Sequence, residues 1–306
     1  MRCPKVVVAV LLAAPTLAGV SAWLSTVGEA ATRARVVQVV AAENFWGSIA
    51  AQLGGDRVHV TSVITSPATD PHDYEPTAAD ARTMAGTQLA IVNGIGYDPW
   101  ADKLLAANPV KNRVVLNVGT LLGIAPGGNP HRWYSPGDVQ TVIGEIYNDY
   151  IRLDPADKAY FRAQETAFET RGLAQYKRLI LTIRDRFHGV PVGASESIFA
   201  PLAQALQLKL LTPPSFLKAI SEGTEPTARD KTTIDRQIAR RQIKVWVFNS
   251  QNSTPDVQRI TDAARKKGIP VTTITETLTP ASATFQDWQS HQLQALIAAL
   301  AKATGR

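Results

Sequence analysis

His72 lies in the segment Thr69-Asp-Pro-His-Asp-Tyr-Glu-Pro76, between two prolines and among three carboxylates. The run at 58–65 just before it alternates apolar and polar residues, the pattern of a half-buried strand. Three further residues of metal-ligating type stand just beyond strand-like runs. His131 lies in Asn129-Pro-His-Arg-Trp133, Glu196 in Gly193-Ala-Ser-Glu-Ser197, and Glu276 in Thr275-Glu-Thr-Leu278. In open parallel sheets, ligands bind beyond the carboxyl ends of the strands. Two imidazoles therefore face two carboxylates across a cleft, a donor set that suits a first-row divalent cation such as Zn²⁺, Mn²⁺ or Fe²⁺.

Each position also has a plainer use. His72 and His131 suit packed turn residues. Glu196 suits the N-terminus of a helix beginning near Ile198, where a carboxylate offsets the helix dipole. Glu276 says little when read alone. The remaining histidines look structural: His59 on an alternating strand, His188 at the end of a helix, and His291 among glutamines.

The elements that must position these residues read as two similar halves. In the first, strand-like runs at 36–40, 58–65, 89–93 and 114–118 alternate with helical patterns at 44–53, 77–85 and 98–106. In the second, strands at 190–195, 208–211, 245–249 and 271–275 alternate with helices near 198–206, 227–241, 255–266 and 284–300. This alternation predicts an α/β fold of two lobes, each a mostly parallel four-stranded sheet flanked by helices. Between them, residues 154–188 predict one long linking helix. Asp154 and Pro155 are start signals, and Leu173, Tyr176, Ile180, Ile183 and Phe187 form one apolar stripe. Such a helix is roughly 50 Å long at about 1.5 Å per residue. Gly172 is its weakest point, and its stiffness limits how far the lobes swing. The expected domains are residues 34–153 and 189–306, joined through 154–188.

Arg2 and Lys5 precede an apolar run at 6–20 and then small residues, the layout of a signal peptide over residues 1–30. An uncleaved N-terminal anchor is the alternative, and both imply export to the periplasm or cell-envelope exterior. The one cysteine, Cys3, precedes the apolar run, so it is not the lipid-bearing cysteine of a lipoprotein. Thiolate metal sites, disulfides and cysteine nucleophiles are excluded from the mature chain. The net charge of +6 is spread out, and its densest cluster, Arg236, Arg240, Arg241 and Lys244, falls at helical spacing. A solvated helix face explains that cluster, and no nucleic-acid motif accompanies it.

With these loops in view, the chain resembles the zinc/manganese solute-binding proteins, the metal receptors of bacterial ABC importers. The likeness rests on Thr69–Pro76, Val92-Asn-Gly-Ile-Gly96 with Pro99-Trp100, Asn129–Trp133, Gly193–Glu196 and Thr275–Leu278, in that order along the chain. It implies a metal held between two lobes and delivered to a membrane permease driven by a cytoplasmic ATPase, with the receptor acting as a monomer. Carried over by position, His72, His131, Glu196 and Glu276 are the ligands of the transported Zn²⁺ or Mn²⁺. Glu276 stands where the family more often has aspartate. Tyr134-Ser135-Pro136 replaces the usual Leu-Asp-Pro, which removes an aspartate able to orient His131 or cap the next helix. Asp70, Asp73 and Glu75 are expected to support His72 from behind. The resemblance implies no enzyme, since no His-Glu-x-x-His is present and Glu276 fills the position a hydrolytic zinc leaves for water. A metal-dependent adhesin and, further off, a zinc hydrolase are the alternatives.

Overall fold

The computed structural model describes residues 36–72 and 74–306, with a few isolated positions nearer the N-terminus. The expected signal peptide and Asp73 lie outside the described residues. Lobe one begins with β1 (Val37–Glu43), α1 (Asn44–Gly54), β2 (Val58–Ile64), α2 (Ala78–Ala85) and β3 (Leu89–Val92). It continues with α3 (Pro99–Ala107), β4 (Val114–Asn117), the single turn α4 (Val118–Leu121) and α5 (Pro136–Leu153). The connector comprises α6 (Lys158–Ala167) and α7 (Ala174–Phe187). Lobe two contains β5 (Pro191–Ala194), α8 (Ala200–Ala205), β6 (Lys209–Leu210), α9 (Pro214–Ser221) and α10 (Ala228–Ala239). It ends with β7 (Val245–Asn249), α11 (Pro255–Lys266), β8 (Val271–Ile274) and α12 (Phe285–Thr304).

The two sheets share one topology. Their strand orders are β2-β1-β3-β4 and β6-β5-β7-β8, and every pairing is parallel. Each chain path reverses beside its first strand, which opens a crevice at the carboxyl ends. Period-two alternation shows clearly in β1. Val37, Val39 and Ala41 face one core, while Val40 and Ala42 face a second one with Ala90, Trp100 and Leu104.

The larger core does not stop at the lobe boundary. It runs from Val39 and Ile49 through Ile146 on α5 and Ile183 on α7 to Leu293 on α12. Polar contacts seal the same side: Phe285 N–H donates to Ser48 Oγ (2.9 Å), and the Gln52 and Gln286 amides pair. Lobes that share buried apolar surface lose it on opening, at about 25 cal/mol per Å².

The connector departs from the single α-helix expected over 154–188 at two places: Pro155–Asp157 forms a 3-10 turn, so the α-helix starts only at Lys158, and a second interruption follows α6. Phe168–Gly172 takes up a π-helical turn between α6 and α7. A Cβ on Gly172 would come within 2.9 Å of Phe168 Cδ2, so the glycine makes room for the bulge. The interruption thus falls at the residue that the sequence marks as weakest. Besides the single turn α4, two longer helices, α5 and α9, are additional to those expected. Both begin Pro-at-first-turn, and Ser135 caps α5 by accepting from Asp138 N–H (3.5 Å). Among the described residues no helix is long and apolar enough to cross a membrane.

Candidate metal centre

The loops after β2, β4, β5 and β8 converge at the bottom of the cleft. His72, His131 and Glu276 bring one ligand atom each to within 4.8 Å of one another. Glu196 joins them: its Oε1 lies 3.9 Å from His131 Nε2. A cavity of about 780 Å³ opens above, lined from both lobes by residues that include Asp70, His72, Asn129, Ser197, Gln251 and Glu276.

The two imidazoles are held differently. His131 is fully buried, and its backbone N–H and ring Nδ1 both meet Asn129 Oδ1, at 3.0 and 2.9 Å. The Asn129 amide in turn donates from Nδ2 to the Ser197 carbonyl (2.7 Å), which fixes which of its ends faces the ring. With Nδ1 as donor, Nε2 carries the free lone pair, and among the described residues it has no hydrogen-bond partner. Burial, and then the neighbouring His72 and Arg132, push the His131 pKa well down, so the ring is neutral. His72 is less enclosed. Its ring stands edge-on to Tyr97 at 4.7 Å, its backbone N–H donates to Asp70 Oδ1 (2.9 Å), and Trp100 Nε1–H holds the preceding Pro71 carbonyl (3.1 Å). Asp70 therefore shapes the backbone of this turn, while Glu75 is solvent-exposed.

The two carboxylates differ. Glu276 is prepared on both oxygens, by the Tyr97 hydroxyl (2.9 Å) and by Asn249 Nδ2 (3.0 Å). Burial raises its pKa, with His72 opposing. Glu196 is 1% exposed, and among the described residues neither of its oxygens has a hydrogen-bond partner. Burial first, and then the Glu276 carboxylate, push its pKa well up. It starts the helical turn Ser197–Phe199 but makes no side-chain cap, so the capping role open to it in sequence is not the one it takes. An unpaired buried carboxylate facing a free imidazole lone pair is costly without a cation between them.

The Val92–Gly96 motif singled out in the sequence, with Tyr97 and Asp98, which sequence reasoning passed over, supplies the scaffold of the centre. Gly94, Ile95 and Gly96 all have positive φ, and the buried Asp98 carboxylate holds this turn by accepting from Asn93 and Gly94 N–H, both at 2.7 Å. Burial raises the Asp98 pKa to about 6. The turn delivers Tyr97 between the two imidazoles, and Asn93 Nδ2 reaches across to the Pro130 carbonyl (3.0 Å) beside His131. The expected loss of an orienting aspartate after Trp133 is offset locally, since Asn129 orients His131 and Ser135 caps α5.

A family model described as "Zinc-uptake complex component A periplasmic" matches residues 39–299. Among curated proteins, the iron-binding protein YfeA of Yersinia pestis is 29% identical over 182 residues, covering 56% of this chain and 57% of that protein. The manganese-binding lipoprotein MntA of Halalkalibacterium halodurans is 23% identical over 137 residues, covering 43% of this chain and 45% of its own length. These alignments thus span about half the length of either relative. In fold, the periplasmic zinc-binding protein TroA of Treponema pallidum superposes with a TM-score of 0.70 at 18% identity, covering 87% of this chain and 99% of that one. With the family model spanning nearly all of both lobes, the chain belongs to the zinc-uptake complex component A family.

Proposed function

We propose that this protein is an extracytoplasmic receptor that captures a divalent transition metal in the cleft and delivers it to the permease of an ABC importer powered by a cytoplasmic ATPase. The observation that carries the reading is the pair at the cleft bottom: Glu196, buried and, among the described residues, with neither oxygen in a close hydrogen bond, 3.9 Å from Nε2 of His131, which likewise has no partner among them. With His72 and Glu276 it offers two imidazole nitrogens and two carboxylates. That donor set admits zinc, manganese and ferrous iron. Sites of this kind hold zinc more tightly than manganese in the Irving–Williams order, whereas the oxygen donors favour manganese by type. The receptor acts as a monomer, with residues 1–30 directing export and 154–188 joining lobes 34–153 and 189–306. It is not an enzyme, because four protein donors leave no position for a reacting water.

The test is thermal. Protein stripped with chelator is melted alone and with Zn²⁺, Mn²⁺ or Fe²⁺ added. A bound ion at about one hundred times its dissociation constant stabilises by about 2.7 kcal/mol. His72→Ala and Glu196→Ala are expected to abolish that shift. Failure of all three ions to raise the melting temperature overturns the receptor reading. A shift that survives in both variants overturns the ligand assignment.

A further inference from the structure

Two neutral carboxamides cross the cleft, and each ties one imidazole loop to one carboxylate loop. Asn129, in lobe one, holds His131 through Oδ1 and donates from Nδ2 to the carbonyl of Ser197, the neighbour of Glu196 in lobe two. Gln251, in lobe two, accepts through Oε1 from the backbone N–H groups of Glu276 and Thr277, and so places the Glu276 loop. Its Nε2 donates to Thr277 Oγ1 (3.0 Å) and to the carbonyl of Pro67, at the root of the loop that carries His72. That root is itself stiffened: Thr69 N–H donates to the Ser66 carbonyl, and Ala68 N–H to Ser66 Oγ (3.2 Å). The pairs are thus His131 with Glu196 through Asn129, and His72 with Glu276 through Gln251.

We infer that Asn129 and Gln251 are positioning residues that act as paired latches, setting how long a bound cation stays by holding each imidazole against its opposing carboxylate. The inference rests on the metal-receptor reading above. Both amides use the acceptor end to orient a ligand loop within their own lobe and the donor end to reach the other lobe. Opening the cleft therefore breaks the two donor contacts, together with the bond from the Tyr97 hydroxyl to Glu276, while the acceptor contacts within each lobe survive. The ligands stay oriented, yet they separate.

This division makes the two roles separable by substitution. Asn129→Asp and Gln251→Glu keep an oxygen for the N–H groups that each residue accepts from and remove the cross-cleft donor; in Gln251→Glu the Thr277 hydroxyl, until then an acceptor, can turn to donate to the new carboxylate. Losing one such bond, with the facing carbonyl left unpaired, is expected to speed release about tenfold. The added negative charge taken alone pulls the opposite way, towards slower release of a cation. The experiment loads full-length protein with Co²⁺ and with Zn²⁺ at pH 7.5, then follows dissociation into excess chelator. The latch role predicts faster release in each variant and faster still in the double variant. It also predicts an unchanged Co²⁺ absorption spectrum and an unchanged melting temperature without metal. Release at or below the wild-type rate overturns the inference, as does faster release accompanied by an altered Co²⁺ spectrum. Wild-type protein that takes up neither ion overturns the receptor reading, a result distinct from wild-type binding with unaltered variant kinetics.

Discussion

Asn129 holds the Nδ1 side of the His131 ring at 2.9 Å and thereby aims Nε2 at Glu196, 3.9 Å away. One amide thus sets the tautomer of one proposed ligand and faces it towards a buried carboxylate whose charge the Asn249 and Asn252 amides only partly offset. On the proposed ligand assignment, a cation would relieve the cost of burying that carboxylate.

Glu196→Gln is expected to stabilise the metal-free protein while weakening metal binding. The substitution removes a buried carboxyl whose charged form is opposed by burial and by Glu276. The gain is about 1–3 kcal/mol, or several degrees in melting temperature. Calorimetry on chelator-treated wild type and variant reads the first effect, and titration with Zn²⁺ reads the second. A variant that melts lower without metal contradicts this account of the burial cost.

The metal-free protein is expected to grow more stable as pH falls from 8 to about 6.5. Glu43 and Glu196 have pKa values pushed well up, the first by burial and Asp98, the second by burial and Glu276. A raised carboxyl holds its proton in the folded chain and loses it on unfolding, so stability drops as pH rises towards the folded value. The slope is up to about 1.4 kcal/mol per pH unit for each such proton. Asp98, raised to about 6, adds to the trend below that window. His131 works in the opposite direction, because its lowered pKa costs stability only once pH falls below its ordinary range. Melting curves in chelator check this, and a flat profile between pH 6.5 and 8 refutes it. With metal present the dependence should reverse, since the ion displaces the proton from Glu196.

Gly94→Ala should destabilise the fold by about 2–3 kcal/mol. Gly94 has φ +69°, and a Cβ there would stand 2.4 Å from Asn117 Oδ1. The same turn places Tyr97 against His72, so metal affinity should fall together with stability. Urea unfolding at fixed pH measures the first, and a wild-type midpoint would remove the strain argument.

Small-angle scattering should show nearly equal radii of gyration with and without metal. The core that runs from Ile49 on α1 through Ile183 on α7 to Leu293 on α12 crosses the lobe boundary and resists wide opening. A large contraction on adding metal would count against this.

Much of this was legible in the sequence because it depends on local pattern. Alternation marks β1 and β2, and β7 at Val245–Asn249 and α11 at Pro255–Lys266 fall where their periodicity predicts. His72, His131, Glu196 and Glu276 stand out by residue type at strand ends, and the fold brings the four together as that placement predicts. Asn129 and Gln251 do not, because an amide has no distinctive spacing and its meaning lies in which carbonyl stands opposite once both lobes are in place. Helix α5 carries an apolar stripe, Val139, Val142, Ile143 and Ile146, but it follows a segment whose prolines and glycines read as loop. Pro213 and Pro214 hide α9 in the same way, since proline both breaks a helix and starts one. The standing of Glu196 was open in sequence, because a cap and a ligand call for the same residue at the same place.

The order in which the four proposed ligands occur along the chain has a consequence for when the protein meets its cargo. His72 follows β2, whereas Glu276 follows β8, the last strand to be made. No contiguous fragment short of that strand contains the whole set, so the ion cannot template early folding as it does in a zinc finger. On the proposed ligand set, the complete site exists only once the second sheet is built, so loading would follow folding.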